Sequence, residues 1–226
     1  MKKSVLLFLL PVVLFAQNLQ VHYDFGQDRD YVTSTLEMFK PDDAGAWFWF
    51  VDFDYNSEKN SMNLAYWEIA RYFSLPVWQR KLSFKLEYND GFFIGGSENS
   101  GYWGAPFYNA WLTGFGYNFD LASINFQTDL LYRYMPVSDA PDWQLTLVWT
   151  KVFAQGKLLV TGYFDLWTQD LAGQKEWIFQ TEPQVWYMVT DKVGLGGEIE
   201  ISRGLLFDLY QFDWKFMPTL GVRWNF

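Results

Sequence analysis

The stretch DWKFMPTLGVRWNF (residues 213–226) alternates between two kinds of side chain up to the last residue of the chain. The larger apolar or ring-shaped set is Trp214, Phe216, Pro218, Leu220, Val222, Trp224 and Phe226, and the residues between them are Lys215, Met217, Thr219, Gly221, Arg223 and Asn225. A period of two predicts a β-strand with one apolar face and one polar face. Two folds accommodate such a strand: a soluble sandwich that ends on a core strand, or a barrel in a membrane.

The aromatic residue at the end of the chain, Phe226, stays in register with the apolar face. Chain termini are usually polar and loosely held, so a terminal ring in register favours the barrel. The stretch resembles the closing strand of bacterial outer-membrane β-barrels, which ends in Phe or Trp and is recognised by the barrel assembly machinery. The resemblance implies that Phe226 is an assembly signal and that this machinery is a partner of the chain.

The first sixteen residues have the pattern of a secretory signal peptide. Lys2 and Lys3 precede an apolar run over residues 5–15, and Ala16 is the expected last residue before cleavage, although Leu14 is larger than usual at its position. The run is shorter than the roughly 20 apolar residues of a membrane-spanning helix. The sequence therefore predicts two parts: a signal peptide over residues 1–16 and one β-barrel domain over residues 17–226.

The same alternation recurs along the rest of the chain. It predicts twelve strands, over 19–25, 31–39, 46–55, 62–73, 81–89, 107–117, 123–134, 142–150, 159–167, 176–189, 193–202 and 213–226. The Gly-rich stretch 90–104 is expected to be a long loop. An even number of strands of about 9–11 residues, with short and long connections in alternation, predicts an all-β fold: a single closed antiparallel transmembrane barrel with up-and-down connections. Pro183 and Pro218 each remove a hydrogen bond inside a predicted strand, which a bulge would absorb.

Composition supports this fold class. Aromatic residues make up 22% of the chain, which exceeds what a soluble core needs and is typical of a barrel with aromatic girdles at both lipid interfaces. The absence of cysteine excludes disulfides and thiolate metal sites, and no metal or cofactor is expected. Without Lys2 and Lys3, 15 basic residues face 26 acidic ones, which argues against a nucleic-acid polymer as partner.

The polar faces of the strands predict what lines the barrel. An eight-stranded soluble barrel around one ligand is the alternative, but twelve strands leave a wider interior, and lipid excludes charges from the outer face. The inward acids are then Asp24, Glu37, Asp52, Asp54, Glu68, Glu87, Asp129, Asp165, Glu182, Glu198 and Glu200, and the inward bases are Lys85, Arg133, Lys215 and Arg223. Such an interior is either a set of cross-strand ion pairs that fix the register, or a pore that disfavours anions.

Some rings share the polar faces with these acids. Tyr66 lies two residues from Glu68, Tyr163 and Trp167 flank Asp165, and Trp186 follows Glu182 on the next predicted strand. Residues two apart on a strand lie side by side. Because rings stack on flat solutes and carboxylates accept hydroxyl groups, these seven residues form a candidate contact for a neutral, ring-bearing solute. The alternative is that the rings only fill a narrow interior.

Several short segments carry a resemblance to a known family. These are VHYDFG (21–26), FVDFDY (50–55), AYWEIAR (65–71), EYNDG (87–91), TEPQVWYM (181–188) and FMPTLGVRWNF (216–226). They resemble an uncharacterised family of bacterial outer-membrane β-barrel proteins that is distantly similar to the Tsx-type nucleoside-specific channels. The resemblance implies a monomer in outer-membrane lipid that passes small polar solutes, with nucleosides as candidates, but it carries over no nucleoside-binding residue. A structural or adhesive barrel without transport is the alternative.

An outer-membrane lipid hydrolase is the remaining alternative. Serine hydrolysis needs a histidine beside the nucleophile, and the chain has one, His22, on the polar face of the first strand. No G-x-S-x-G elbow accompanies it. We therefore expect that the protein is not an enzyme.

Overall fold

The computed structural model describes residues 17–26, 29–56, 61–97, 99–107, 109–136, 138–171, 174–205 and 213–226, and almost all of its regular structure is β-strand. The strands are β1 (Asn18–Asp24), β2 (Tyr31–Asp42), β3 (Gly45–Asn56), β4 (Ser61–Ser74), β5 (Leu82–Ser97), β6 (Gly101–Pro106), β7 (Ala110–Leu121), β8 (Ile124–Tyr134), β9 (Asp142–Phe153), β10 (Leu158–Leu171), β11 (Gln174–Thr181), β12 (Gln184–Met188), β13 (Val193–Arg203) and β14 (Trp214–Asn225). Two short 3₁₀ turns, Trp78–Arg80 and Ala154–Gly156, join strands.

These fourteen segments make twelve barrel strands. β6 and β7 pair with successive parts of β5 and so form one interrupted strand, and β11 and β12 do the same along β10. Every strand is antiparallel to its sequence neighbours, and all seven residues of β1 pair with β14, from Asn18 opposite Asn225 to Asp24 opposite Thr219. This last pairing closes the sheet on itself. The predicted twelve-stranded up-and-down barrel is confirmed.

The connections lie at two rims. We call the rim that carries Gln17 and Phe226 the terminal rim and the opposite one the loop rim. Strands meet at the terminal rim through short turns, such as Ala122–Ser123, where both residues have positive φ (51° and 60°) as in a tight hairpin. The short connections AQGK (154–157) and TDK (190–192) lie at this rim too.

The stretch 90–104 differs from its prediction. β5 continues to Ser97 and pairs with β6, so most of the predicted loop is a β-hairpin that extends the barrel wall at the loop rim. Glycines are typical of loops, but two of those in this stretch, Gly91 and Gly95, make room for rings. A Cβ on Gly95 would lie 2.5 Å from the ring of Trp103, which is paired opposite it. The loop assignment was wrong because glycine in a strand also marks a close approach.

The two prolines are accommodated in different ways. The strand is interrupted at residues 182–183, between β11 and β12, which removes the need for a hydrogen bond from Pro183. Pro218 stays inside β14 opposite Ile199, and beside it, where the pairing skips Glu198, the Glu198 N–H donates to the Thr219 hydroxyl (3.2 Å). Local irregularity therefore absorbs both residues, as expected.

The outer face of the barrel is apolar. Large aliphatic side chains are exposed around its middle, and rings are exposed towards each end. The terminal-rim rings are Trp47, Phe73, Phe153, Tyr187 and Trp224, and the loop-rim rings are Tyr23, Tyr55, Trp111, Tyr134, Trp143, Trp177 and Trp214. A soluble sandwich or ligand-binding barrel would not expose such a band to water, whereas a barrel in lipid needs it, with aromatic girdles at both interfaces.

Candidate functional site

The strand register decides which side chains line the lumen. Partners across a sheet face the same side, and each strand is paired with the next around the barrel, as in Gln20–Thr35, Thr35–Asp52 and, at the closure, Arg223–Gln20. This register places all eleven predicted inward acids and all four predicted bases on the lumen face. They are Asp24, Glu37, Asp52, Asp54, Glu68, Glu87, Asp129, Asp165, Glu182, Glu198, Glu200, Lys85, Arg133, Lys215 and Arg223.

One wall of the lumen, from β4 to β8, is filled by a buried network around Lys85. The Lys85 ammonium lies 2.5 Å from Glu87 and 2.9 Å from Asp129, and all three side chains are almost inaccessible. Tyr72 reaches Asp129 from β4 with a 2.9 Å hydrogen bond. Gly116 makes this approach possible, because a Cβ there would lie 2.3 Å from the Asp129 carboxylate. This part of the lumen therefore supports the ion-pair alternative.

A second cluster joins β8, β9 and β10. Arg133 donates to Gln144 (2.7 Å) and its guanidinium lies 5.5 Å from the ring centre of Trp167. Asp165 accepts a hydrogen bond from Thr146, and Trp167 is buried beneath the arginine. The predicted solute residues Asp165 and Trp167 therefore lie together, but the ring face of Trp167 is covered.

A third cluster surrounds the single histidine. His22 is buried, with Nδ1 2.7 Å from the Thr219 hydroxyl and Nε2 3.2 Å from Gln20. Glu198 approaches the same Nδ1 at 3.7 Å. A hydrolase needs the nucleophile and the orienting acid on opposite ring nitrogens, so this arrangement is not a catalytic triad. His22 is a hydrogen-bonded lumen residue, and its ring contacts Trp186 edge-on at 5.4 Å.

The predicted solute residues fall into separate groups. Tyr163 is hydrogen-bonded to Glu182 on the same wall, and Tyr66 donates to Glu68 (2.6 Å) on the opposite wall. Trp186 pairs with Leu159, which is eight residues along β10 from Trp167, a separation of about 26 Å at roughly 3.3 Å per residue. Trp186 is also fully buried. The two tryptophans therefore do not form one site.

Two features were not predicted. Arg29, in the connection after β1, reaches into the lumen and joins Asp24 (2.9 Å) to Glu200 (3.0 Å). Asp142, the first residue of the predicted strand 142–150 and of β9, is buried and paired with Lys175 (2.8 Å), which was not predicted. Strand alternation gives no signal for a connecting residue that turns inward, so Arg29 was not identifiable from the sequence pattern.

Two searches of the described residues gave no candidates. No group of histidine, cysteine or carboxylate side chains in these ranges has a geometry that could hold a metal ion. None of the helical segments within the described ranges is long and apolar enough to cross a membrane.

Comparison with known sequences identifies the family. The profile of a domain of unknown function, DUF5020, matches residues 16–226. The chain belongs to the DUF5020 family. No curated protein matches the sequence of this DUF5020 chain at a significant level.

Solved structures support the architecture of the DUF5020 barrel. The NanC porin superimposes with a TM-score of 0.58 at 13% identity, covering 92% of this chain and 99% of that one. The KdgM porin, solved in complex with disordered oligogalacturonate, gives a TM-score of 0.50 at 8% identity with coverage of 92% and 99%. At these identities the likeness concerns the fold. Both of these structures are porins, and the resemblance to Tsx-type channels in particular is not shown by the comparisons.

Proposed function

We propose that the DUF5020 protein is a monomeric outer-membrane channel that passes cations and small neutral polar solutes and disfavours anions. The observation that carries the proposal is a closed barrel with an apolar outer face whose lumen holds a large excess of carboxylates. Lys85 pairs two of these acids and Arg29 pairs two more. Asp52 and Glu182 lie partly exposed on the lumen face with no ion pair among the described residues. Unpaired carboxylates lining a pore attract cations and repel anions.

The apolar outer face and the short turns also indicate how the barrel is placed in the outer membrane. Outer-membrane lipid covers the apolar band, the short turns face the periplasm as in other outer-membrane barrels, and the assembly machinery recognises the strand that ends in Phe226. KdgM was solved with oligogalacturonate, which carries one carboxylate per sugar. The acidic lumen of this chain does not suit such a polyanion, so the proposed solutes of this chain carry no negative charge.

Reversal potentials in a salt gradient test the proposal. We expect the purified barrel to conduct in planar bilayers and to prefer potassium over chloride. Replacing Asp52, Glu182 and Glu198 together by their amides is expected to lower this preference by a factor of about two or more, since the repelling charge is removed. Acidification should act in the same direction because it protonates carboxylates. Asp191→Asn, at an exposed turn of the terminal rim, is the matched control.

Two outcomes would contradict the proposal. A barrel that is folded, as shown by a gel shift on boiling, but that never conducts would favour a structural or adhesive role. Anion preference at neutral pH would mean that residues at the rims, and not the lumen acids, control selectivity.

A nucleoside-like solute is the finer candidate, favoured by the partly exposed group of Tyr163, Asp165 and Glu182. We expect adenosine to block the current, and Tyr163→Leu to weaken that block by about tenfold, since stacking on one ring contributes roughly 1–3 kcal/mol. Trp186→Ala serves as the control, because its buried ring is not available to a solute in this conformation. Equal block in the wild type and in a Tyr163→Leu, Asp165→Asn double variant would end the nucleoside hypothesis.

A further inference from the structure

A continuous row of rings crosses the lumen face of β3 to β6, and we call it the ring ladder. Its members in order from the loop rim are Trp103, Phe93, Phe107, Tyr66, Phe50 and Phe48. Neighbouring ring centres are 5.3, 5.6, 6.2, 5.9 and 5.9 Å apart. These are distances at which aromatic rings are in contact, so the ladder is one continuous row of touching rings.

The register shows that the ladder faces the lumen. Tyr66 pairs with Asp52, and Phe50 pairs with Glu68, so each ring shares its face with an inward acid. Phe48 pairs with Phe39 of β2, which extends the row towards the terminal rim.

Glycines let the ladder pass from the β5–β6 hairpin to β4. Gly91 pairs with Tyr66, and a Cβ on Gly91 would lie 2.3 Å from the ring of Phe107. Phe107 occupies this space and connects the hairpin rings to Tyr66. In the same way, the missing side chain of Gly95 leaves room for the ring of Trp103. The stretch 90–107 is therefore built to hold rings at the loop rim.

The two ends of the row are open. Trp103 is 55% exposed at the loop rim and Phe39 is 51% exposed near the terminal rim. Between them Phe93, Tyr66, Phe50 and Phe48 are partly exposed, and Phe107 is buried as the link between Phe93 and Tyr66. Three other inward rings, Tyr72, Trp167 and Trp186, differ from these. Lys85 lies over Tyr72, Arg133 lies over Trp167, and Trp186 is fully buried against His22. The ladder is thus the apolar surface that leads from one mouth of the barrel to the other.

Hydrogen-bond acceptors run beside the rings. Glu68 already accepts from Tyr66 (2.6 Å) and Asn89 (3.1 Å), and Asp52 accepts from Thr35 (2.5 Å). A sugar ring has an apolar C–H face and an edge of hydroxyl groups. The face suits the negatively polarised surface of an aromatic ring, and the hydroxyl groups suit carboxylates. The acidic lumen disfavours sugars that carry negative charge.

We propose that the ring ladder is a path for neutral linear oligosaccharides, whose sugar rings contact the exposed rings of the ladder in turn between the loop rim and the terminal rim. The inference rests on the proposed function, because it requires a conducting lumen. A row of six rings is longer than a single nucleoside or monosaccharide covers, so the extended ladder points to a chain of sugar units. Its rings lie on β3 to β6, on the side of the barrel away from Tyr163 and Glu182.

Block of the ionic current by neutral glucose oligomers tests the proposal. Maltose, maltotriose and maltohexaose are added to one side of a bilayer that contains the wild-type barrel. We expect the apparent affinity to rise with each added sugar until the oligomer spans the ladder. Phe50→Leu and Tyr66→Leu are each expected to weaken block by maltohexaose about tenfold, because each removes one stacking surface, and to weaken block by maltose less.

Phe115→Leu is the matched control, since Phe115 is a ring on the lipid-facing side of β7. Phe48→Leu, near the open end of the row, serves as a further test if Phe50→Leu fails to give the heat-dependent gel shift of a folded barrel. Its expected effect is the same loss of block by the longest oligomer.

The outcomes separate the two proposals. Absence of any conductance would overturn the proposed channel. Normal conductance without block by glucose oligomers, or block that does not depend on length or on the ladder rings, would overturn the ladder proposal and leave the channel standing. Block by adenosine that is lost in Phe50→Leu, with no response to oligosaccharides, would assign the ladder to nucleobases and would also overturn it.

Discussion

Replacing Phe226 by alanine will lower the amount of assembled barrel in cells about tenfold or more, because burying a phenylalanine ring in a recognition site contributes roughly 1.5–3 kcal/mol. The folded barrel will lose much less. Phe226 is partly exposed, its ring contacts Trp224 at 4.8 Å, and its backbone N–H donates to Gln17 (3.1 Å), a bond that alanine retains. We expect the free energy of unfolding to fall by about 1 kcal/mol or less.

Two measurements on the same variant check this expectation. The heat-dependent gel shift of outer-membrane extracts reports assembly in the cell, and urea unfolding of barrel refolded in lipid vesicles reports stability. Phe216→Ala is the control, since Phe216 is also an outward ring on β14 but lies towards the loop rim. Equal loss of assembly in both variants would show that the ring matters for lipid burial and not as a signal.

Replacing Lys85 by methionine is expected to lower the free energy of unfolding by about 3–5 kcal/mol, since it leaves buried carboxylates without their cation. The ammonium is held between Glu87 and Asp129, where water does not reach it. Asp129 keeps its bonds from Tyr72 and Gln127 (2.6 Å) in the variant, but these neutral donors do not cancel a charge. The variant should therefore assemble poorly, which urea unfolding of refolded barrel and the heat-dependent gel shift both measure.

Neutralising Glu87 and Asp129, the partners of Lys85, shows whether the loss of stability comes from unpaired charge or from altered packing. Adding Glu87→Gln and Asp129→Asn to Lys85→Met removes all three charges at nearly unchanged volume, and we expect most of the lost stability to return. Lys157→Met, at an exposed turn of the terminal rim, should leave stability unchanged within about 0.5 kcal/mol. A triple variant as unstable as Lys85→Met would show that the shape of the network, and not its charge, holds this wall.

The alternation of side chains was sufficient to predict the strands, their facing and the acidic lumen, because one face meets lipid and a slip of one residue would bury charges there. The offset between strands was not predictable, since it depends on the geometry of each connection. That offset separates Trp167 from Trp186 and places Tyr72 against Asp129 three strands away. The ring ladder was not predictable from the alternation either, because rings on both faces of a strand hide which of them face the lumen. Phe48 and Phe50 sit on the polar face of a stretch, FWFVDF (48–53), in which both faces carry rings.

The pairing of β1 with β14 makes the sheet a belt in which Gln17 and Phe226 are neighbours. In a closed sheet the stability of the folded state does not depend on which two strands carry the chain termini. A circular permutant in which Gln17 is joined to Phe226 and new termini are made between Ala122 and Ser123 keeps every strand pair. Its last strand, however, would end in the sequence NFDL (118–121), with no terminal ring. We expect the two chains to have the same folded structure and similar stability but to differ in how efficiently the cell assembles them. The natural order of the strands would then matter for assembly and not for the stability of the folded barrel.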